Sequence, residues 1–200
     1  MSTPRSFAWP RLVFAGGRRQ DPAGQQQDDF AARFRTQILP HLDAAYNYAR
    51  YLARDGTAAE DIVQEAFLRA WKGFGACRGS PRPWLLTIVR NCYHDWSKAN
   101  RRYVVDDELA VQECLDASAE GAEDRALQAL DVATLRETIT RLPEPFRETL
   151  VLRELEDLSY REIAVLTATP IGTVMSRLAR GRDMLARVLL KADNKGATGS

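Results

Sequence analysis

The chain has three cysteines and two histidines in 200 residues. Cys77, Cys92 and Cys114 form no Cys-x-x-Cys pair and no metal-type spacing with His41 and His94, so neither a disulfide framework nor a zinc site is expected. Reduced thiols are the default, with one redox option: arginines near Cys77 would lower its thiol pKa. Long apolar runs are also missing. The stretch Leu12–Ala15 is too short for a signal-peptide core and nothing reaches spanning length, so no membrane insertion and a cytoplasmic location are expected. Net charge is scarce at +1, which excludes a uniformly basic coat. No phosphate-binding glycine loop and no alternating strand pattern occur, and no cofactor or metal is expected.

What the chain does have is charge sorted by position. From Phe67 to Tyr103 eight Lys/Arg stand against the single acid Asp95; from Asp106 to Asp131 nine Asp/Glu stand against Arg125; from Arg161 to Lys191 six basic residues face two acids. Any affinity for nucleic acid must come from the two basic blocks. With 45% hydrophobic and 28% charged residues, the chain is otherwise an ordinary globular one.

Apolar spacing is helical throughout, which predicts an all-α fold of two small helical domains joined by an acidic flexible linker, the second carrying a helix-turn-helix. The expected boundaries are a disordered tail over 1–27, a first domain over 28–102, the linker over 103–123, a second domain over 124–191, and a disordered tail over 192–200. Within the first domain Pro40 and Gly56 break the helices. Thr57-Ala58-Ala59-Glu60 has capping-box form and predicts a helix from Asp61 through Trp71, followed by a loop from Gly73 to Arg82. Further helices are expected near 124–142 and 146–155.

The segment Ser159–Arg182 reads as two helices joined by a tight turn at Ala168-Thr169. Ser159 caps the first; Thr169 can cap the second, with Pro170 at its first position. Ile171, Val174, Leu178, Leu185 and Val188 recur at helical spacing as a buried stripe, leaving Thr173, Ser176, Arg177 and Arg180 on another face. A helix fits the major groove, where an arginine pairs bidentately with guanine at about 1–3 kcal/mol of discrimination. An amphipathic surface helix with solvated arginines has the same pattern.

Two further faces stand out. Asp61, Gln64, Glu65 and Leu68 cluster on one side of their helix as an acidic ridge, with Ile62, Ala66 and Arg69 on another; an ordinary solvated face has that pattern too. The helix after Pro83 interleaves Trp84, Tyr93 and Trp96 with Arg82, Arg90, Lys98, Arg101 and Arg102, a mixture suited to single-stranded DNA. Trp84 and Ile88 read more simply as core, while Trp96 fits either role.

The chain resembles the extracytoplasmic-function sigma factors over residues 30–190. Three motifs in order carry the resemblance: Asp61-Ile-Val-Gln-Glu-Ala-Phe with Arg69-Ala-Trp71; Pro83-Trp84-Leu-Leu-x-Ile-x-Arg90-Asn91 with Asp95; and Leu142-Pro143 with Phe146-Arg147, followed by Ser-Tyr-x-Glu-Ile-Ala and Pro-Ile-Gly-Thr-Val-x-Ser-Arg. The resemblance implies an alternative sigma factor that binds core RNA polymerase through the β′ clamp helices and β flap. Asp61, Gln64, Glu65 and Leu68 would meet polymerase. Phe74, Arg78, Arg82, Arg90, Asn91, Lys98, Arg101 and Arg102 would meet the −10 element, with a base flipped near Asn91 and the loop Phe74–Pro81. Thr173, Met175, Ser176, Arg177 and Arg180 would meet the −35 duplex; Met175 stands where many relatives carry a basic residue. The acidic linker would thread toward the RNA exit path. A regulating anti-sigma factor, a stress response and a monomeric free state are implied as well.

Two rivals remain at this level. A polymerase-independent helix-turn-helix regulator would have no use for the ridge and would normally bind a palindrome as a dimer. An enzyme would have to be built on Cys92, His94 and Asp95, which lie too close on one helix to supply nucleophile, base and orienter; no catalytic residue is expected. His41, beside Pro40 at a helix break, reads as a cap or surface residue.

Overall fold

The computed structural model describes residues 22–100 and 132–196. The expectations for the linker, for Cys114, and for Arg101 and Arg102 lie outside the described residues. Among those described, no strand occurs. Contacts divide the chain into two units that meet between Arg33 and Phe34. The first contributes most of α1 (Pro22–Gln37), so helix begins six residues before the expected end of the tail.

In the second unit a 3-10 turn, Leu39–His41, leads into α2 (Leu42–Ala53), with His41 at its N-cap. There follow α3 (Gly56–Gly73), a 3-10 turn Phe74–Ala76, and α4 (Pro81–Ala99). Each helix buries one stripe: Ala45, Tyr48, Ala49 and Leu52 from α2; Ala59, Ile62, Val63, Ala66, Phe67 and Ala70 from α3; Leu85, Leu86, Val89, Cys92 and Tyr93 from α4. The repeated alanines let helix backbones approach closely, and the larger residues fill the gaps between them. Trp84, Ile88 and Trp96 are half-buried, flanking this core rather than forming it.

The start of α3 differs from expectation. Arg54 adopts a left-handed conformation (φ 57°) that ends α2, and the Asp55 carboxylate then accepts the Ala58 N–H at 2.7 Å. Asp55 is therefore the N-cap in place of Thr57, and the helix begins at Gly56 in place of Asp61.

The carboxyl-terminal helices are α5 (Val132–Arg141), α6 (Glu144–Leu150), α7 (Tyr160–Leu166) and α8 (Ile171–Gly196). Between α6 and α7 the chain makes one π-helical turn, Val151–Leu155, in which the Glu156 N–H reaches back five residues to the Val151 carbonyl. Helix α8 runs into the tail expected to be disordered from Ala192. Arg147 is 1% exposed and donates to the carbonyls of Thr140 and Leu142, satisfying the end of α5 from inside the core.

Helix α8 seats on α6 through Val174, Leu178 and Leu185. At Gly181 the approach is so close that an added Cβ would stand 2.9 Å from Leu150 Cδ1. The ends of the expected stripe, Ile171 and Val188, are exposed, because α8 outruns the surface it packs on.

The two helical groups, before and after the linker, were expected as separate domains. Within the second unit they pack against one another, chiefly α2 on α6 and α4 on α7.

Candidate nucleic-acid interface

The helix-turn-helix is built by local chemistry. The Ser159 hydroxyl accepts the Glu162 N–H, and Glu162 Oε2 accepts the Ser159 N–H at 2.8 Å, completing a capping box before α7. Hydrogen bonds from Ser159 hold the Glu162 carboxyl below its ordinary pKa. The α7 end is closed by the Thr167 hydroxyl, which donates to the Ile163 carbonyl at 2.8 Å, and the chain reverses through Ala168 in the left-handed region (φ 52°). Thr169 meets the Thr167 hydroxyl instead of capping α8, and the Pro170 carbonyl accepts the first α8 bonds, from Thr173 and Val174. The second helix thus starts one residue later than expected.

With Val174 and Leu178 inward, α8 turns Met175, Ser176 and Arg180 fully to solvent and leaves Thr173 and Arg177 half-exposed. All five −35 candidates lie on this open side. Met175 is 49% exposed. Behind them, Arg182 donates to Glu154 at 2.6 Å and ties α8 to the π-helical turn.

The ridge on α3 is also open. Asp61, Gln64, Glu65 and Leu68 are all exposed, Leu68 by 58%. Arg69 departs from the expected grouping with Ile62 and Ala66: it lies on the solvent side, donating to Glu65 and to Asp95 of α4, each at 2.7 Å. That pairing draws Asp95 away from His94 and Cys92. Cys92 is buried, and burial pushes its thiol up to about 11, a poor nucleophile.

The −10 candidates divide into three groups. Asn91, Arg78 and Lys98 are exposed. Phe74 is a correction: it is 4% exposed, its ring packed edge-on against Phe34 at 5.3 Å, so it is core and no platform for a base. Arg82 and Arg90 reach across to the carboxyl-terminal helices. Arg90 Nε donates to Glu148 Oε1 at 2.7 Å, the same oxygen receives the Tyr48 hydroxyl at 2.8 Å, and Arg82 pairs with Glu156. Both glutamates are 3% exposed. Burial raises the Glu156 pKa against the opposing pull of Arg82, and burial then Glu148 raise that of Tyr48. Cys77 likewise departs from expectation, since burial raises its thiol pKa.

Residues 38–103 match Sigma-70 region 2 and residues 133–185 match Sigma-70, region 4. The RNA polymerase sigma-H factor of Pseudomonas aeruginosa is 33% identical over 144 residues, covering 68% of this chain and 75% of the relative. The chain belongs to the extracytoplasmic-function sigma factors. The ECF RNA polymerase sigma-E factor of Escherichia coli is 32% identical over 134 residues, 62% of this chain and 70% of its own. Among solved structures, the sigma factor RpoE in complex with the anti-sigma factor NepR from Bartonella quintana aligns with a TM-score of 0.59 at 26% identity, covering 83% of this chain and 99% of that one.

As a sigma factor the protein is a promoter-specific transcription initiation factor and no enzyme, which removes both the polymerase-independent regulator and the Cys92–Asp95 enzyme from consideration. Among the described residues no helix is long and apolar enough to cross a membrane. Sequence reasoning missed Tyr48, Glu148 and Glu156 of this sigma factor. The available signal was Phe-Arg-Glu-Thr-Leu-Val-Leu, residues 146–152: two opposite charges inside an apolar run of buried length.

Proposed function

We propose that this sigma factor binds core RNA polymerase through the α3 ridge, with Asp61, Gln64, Glu65 and Leu68 against the β′ clamp helices and the carboxyl-terminal group against the β flap. The residues 28–102 and 124–191 then act as the −10 and −35 modules on either side of the linker. The observation that carries the reading is an exposed, uncommitted ridge and an exposed recognition helix on one chain. Leu68 supports it further, because a leucine held open at the centre of an acidic face is the apolar anchor that an interface needs.

Asn91, Arg78 and Lys98 are placed to meet the unpaired −10 strand, joined by Arg82, Arg90, Arg101 and Arg102 once the complex forms. Thr173, Met175, Ser176, Arg177 and Arg180 read the −35 duplex, the arginines on guanine or phosphate. The likeness to a sigma factor held by an anti-sigma factor supports control of this chain by such a partner, acting in the cytoplasm on a monomer.

The test is run-off transcription by purified bacterial core polymerase on a fragmented genomic library. The native chain is expected to direct initiation from a shared two-part motif, and the Asp61→Ala/Gln64→Ala variant to lose it while still binding duplex DNA. Equal transcription from both proteins sinks the assignment of the ridge to polymerase.

A further inference from the structure

We propose that Glu148 and Glu156 form an intramolecular latch: in the free protein they hold Arg82 and Arg90 away from DNA, and the two helical groups must part before the −10 element is engaged. The proposal rests on the reading of Arg82 and Arg90 as −10 contacts.

Both acids come from the carboxyl-terminal group and both arginines from α4, so each pair bridges the two groups. A guanidinium binds carboxylate and phosphate with the same donor fork, and one occupied by a buried carboxylate is closed to a phosphate. The glutamates are tethered to their targets, so they compete at an effective concentration on the order of millimolar. Two more bonds cross the same seam: Tyr93 donates to Glu144 at 3.2 Å, and Arg54 to the Leu142 carbonyl at 3.1 Å.

The latch is closed without being perfectly satisfied. Arg82 Nε is buried and makes no hydrogen bond to protein, a cost of holding this arginine inward. Opening returns that group to water or to a phosphate. A partner that binds the parted groups better than the packed ones shifts the equilibrium by that difference in affinity.

The experiment compares the full native chain with its Glu148→Gln/Glu156→Gln variant, in which both charges are removed and Tyr48 keeps an acceptor. The expected results are a larger radius of gyration by small-angle X-ray scattering and, for a fluorescent mixed-sequence strand of about 20 nucleotides, roughly tenfold tighter binding. Adding Arg82→Ala/Arg90→Ala should abolish the gain in affinity. Unchanged size and unchanged binding overturn the latch; in that case, loss of run-off transcription by the Arg82→Ala/Arg90→Ala holoenzyme still upholds the −10 reading. A larger size with no gain in binding also overturns the proposal, and places the fault in the reading of the arginines. If a thermal melt shows that the double variant does not fold, Glu156→Gln alone carries both readouts, since Arg82 lies at the margin of the seam with its side chain 34% exposed.

Discussion

On α3, Asp61, Gln64, Glu65 and Leu68 point to solvent, and the ridge is braced by Arg69 from the same helix. On α4, Arg82 and Arg90 turn toward carboxylates 74 and 58 residues further along the chain. Both helices bury a regular apolar stripe, and both carry charge on the remaining faces. The difference lies in what stands opposite: water for α3, a second helical group for α4. Charge on a helix face therefore marks an open surface only where no distant element covers it.

The contrast can be broken most sharply by truncation. Glu148→Ala strands Arg90 and Tyr48 in a buried seam and is expected to cost about 3 kcal/mol in urea unfolding, whereas Asp61→Ala should change stability by less than about 0.5 kcal/mol. Equal effects would show that the α4 face is no more committed than the ridge. Asp55→Ala removes the cap that starts the ridge helix and should cost about 1 kcal/mol, yet leave the seam and its radius of gyration untouched. A smaller effect comes from protons. His94, beside Arg90 on α4, has its pKa lowered first by burial and then by Arg90 and Lys98, while Glu148 and Asp95 pull the other way; His41 is lowered by burial and Arg82. A histidine so depressed binds fewer protons folded than unfolded, so its contribution is whole above about pH 6.5 and is lost as pH falls through that value. The melting temperature should drop between about pH 7.5 and about pH 6, and His94→Gln should flatten the slope. Glu156, raised by burial, works the opposite way nearer its ordinary 4.5, so the comparison is confined to the upper range.

Much of this was legible before any coordinates. The stripes of α2, α3 and α4, the Ser159 cap and the exposed side of α8 follow from spacing over three, four and seven residues, which the chain prints locally. The misses share a cause. Phe74 looked like a loop aromatic among glycines and arginines, but Phe34 of α1 closes over it. Arg82 and Arg90 looked like a nucleic-acid face because their partners lie across the linker. Asp55 and Thr57 were both plausible caps, and the choice fell to the left-handed Arg54, a backbone state that side-chain pattern does not report.

The π-helical turn at Val151–Leu155 bears on how this chain tolerates insertion and deletion. One residue advances a helix by about 100°, and the turn holds one residue more than a regular helix would. Losing any one of those five positions would let α6 run on as an ordinary helix while rotating all that follows. Glu156 would leave Arg82, and Glu154 would leave Arg182, so the seam and the brace behind the recognition helix would fail together. A single-codon deletion here is a change of phase, and its damage would reach both ends of the promoter at once.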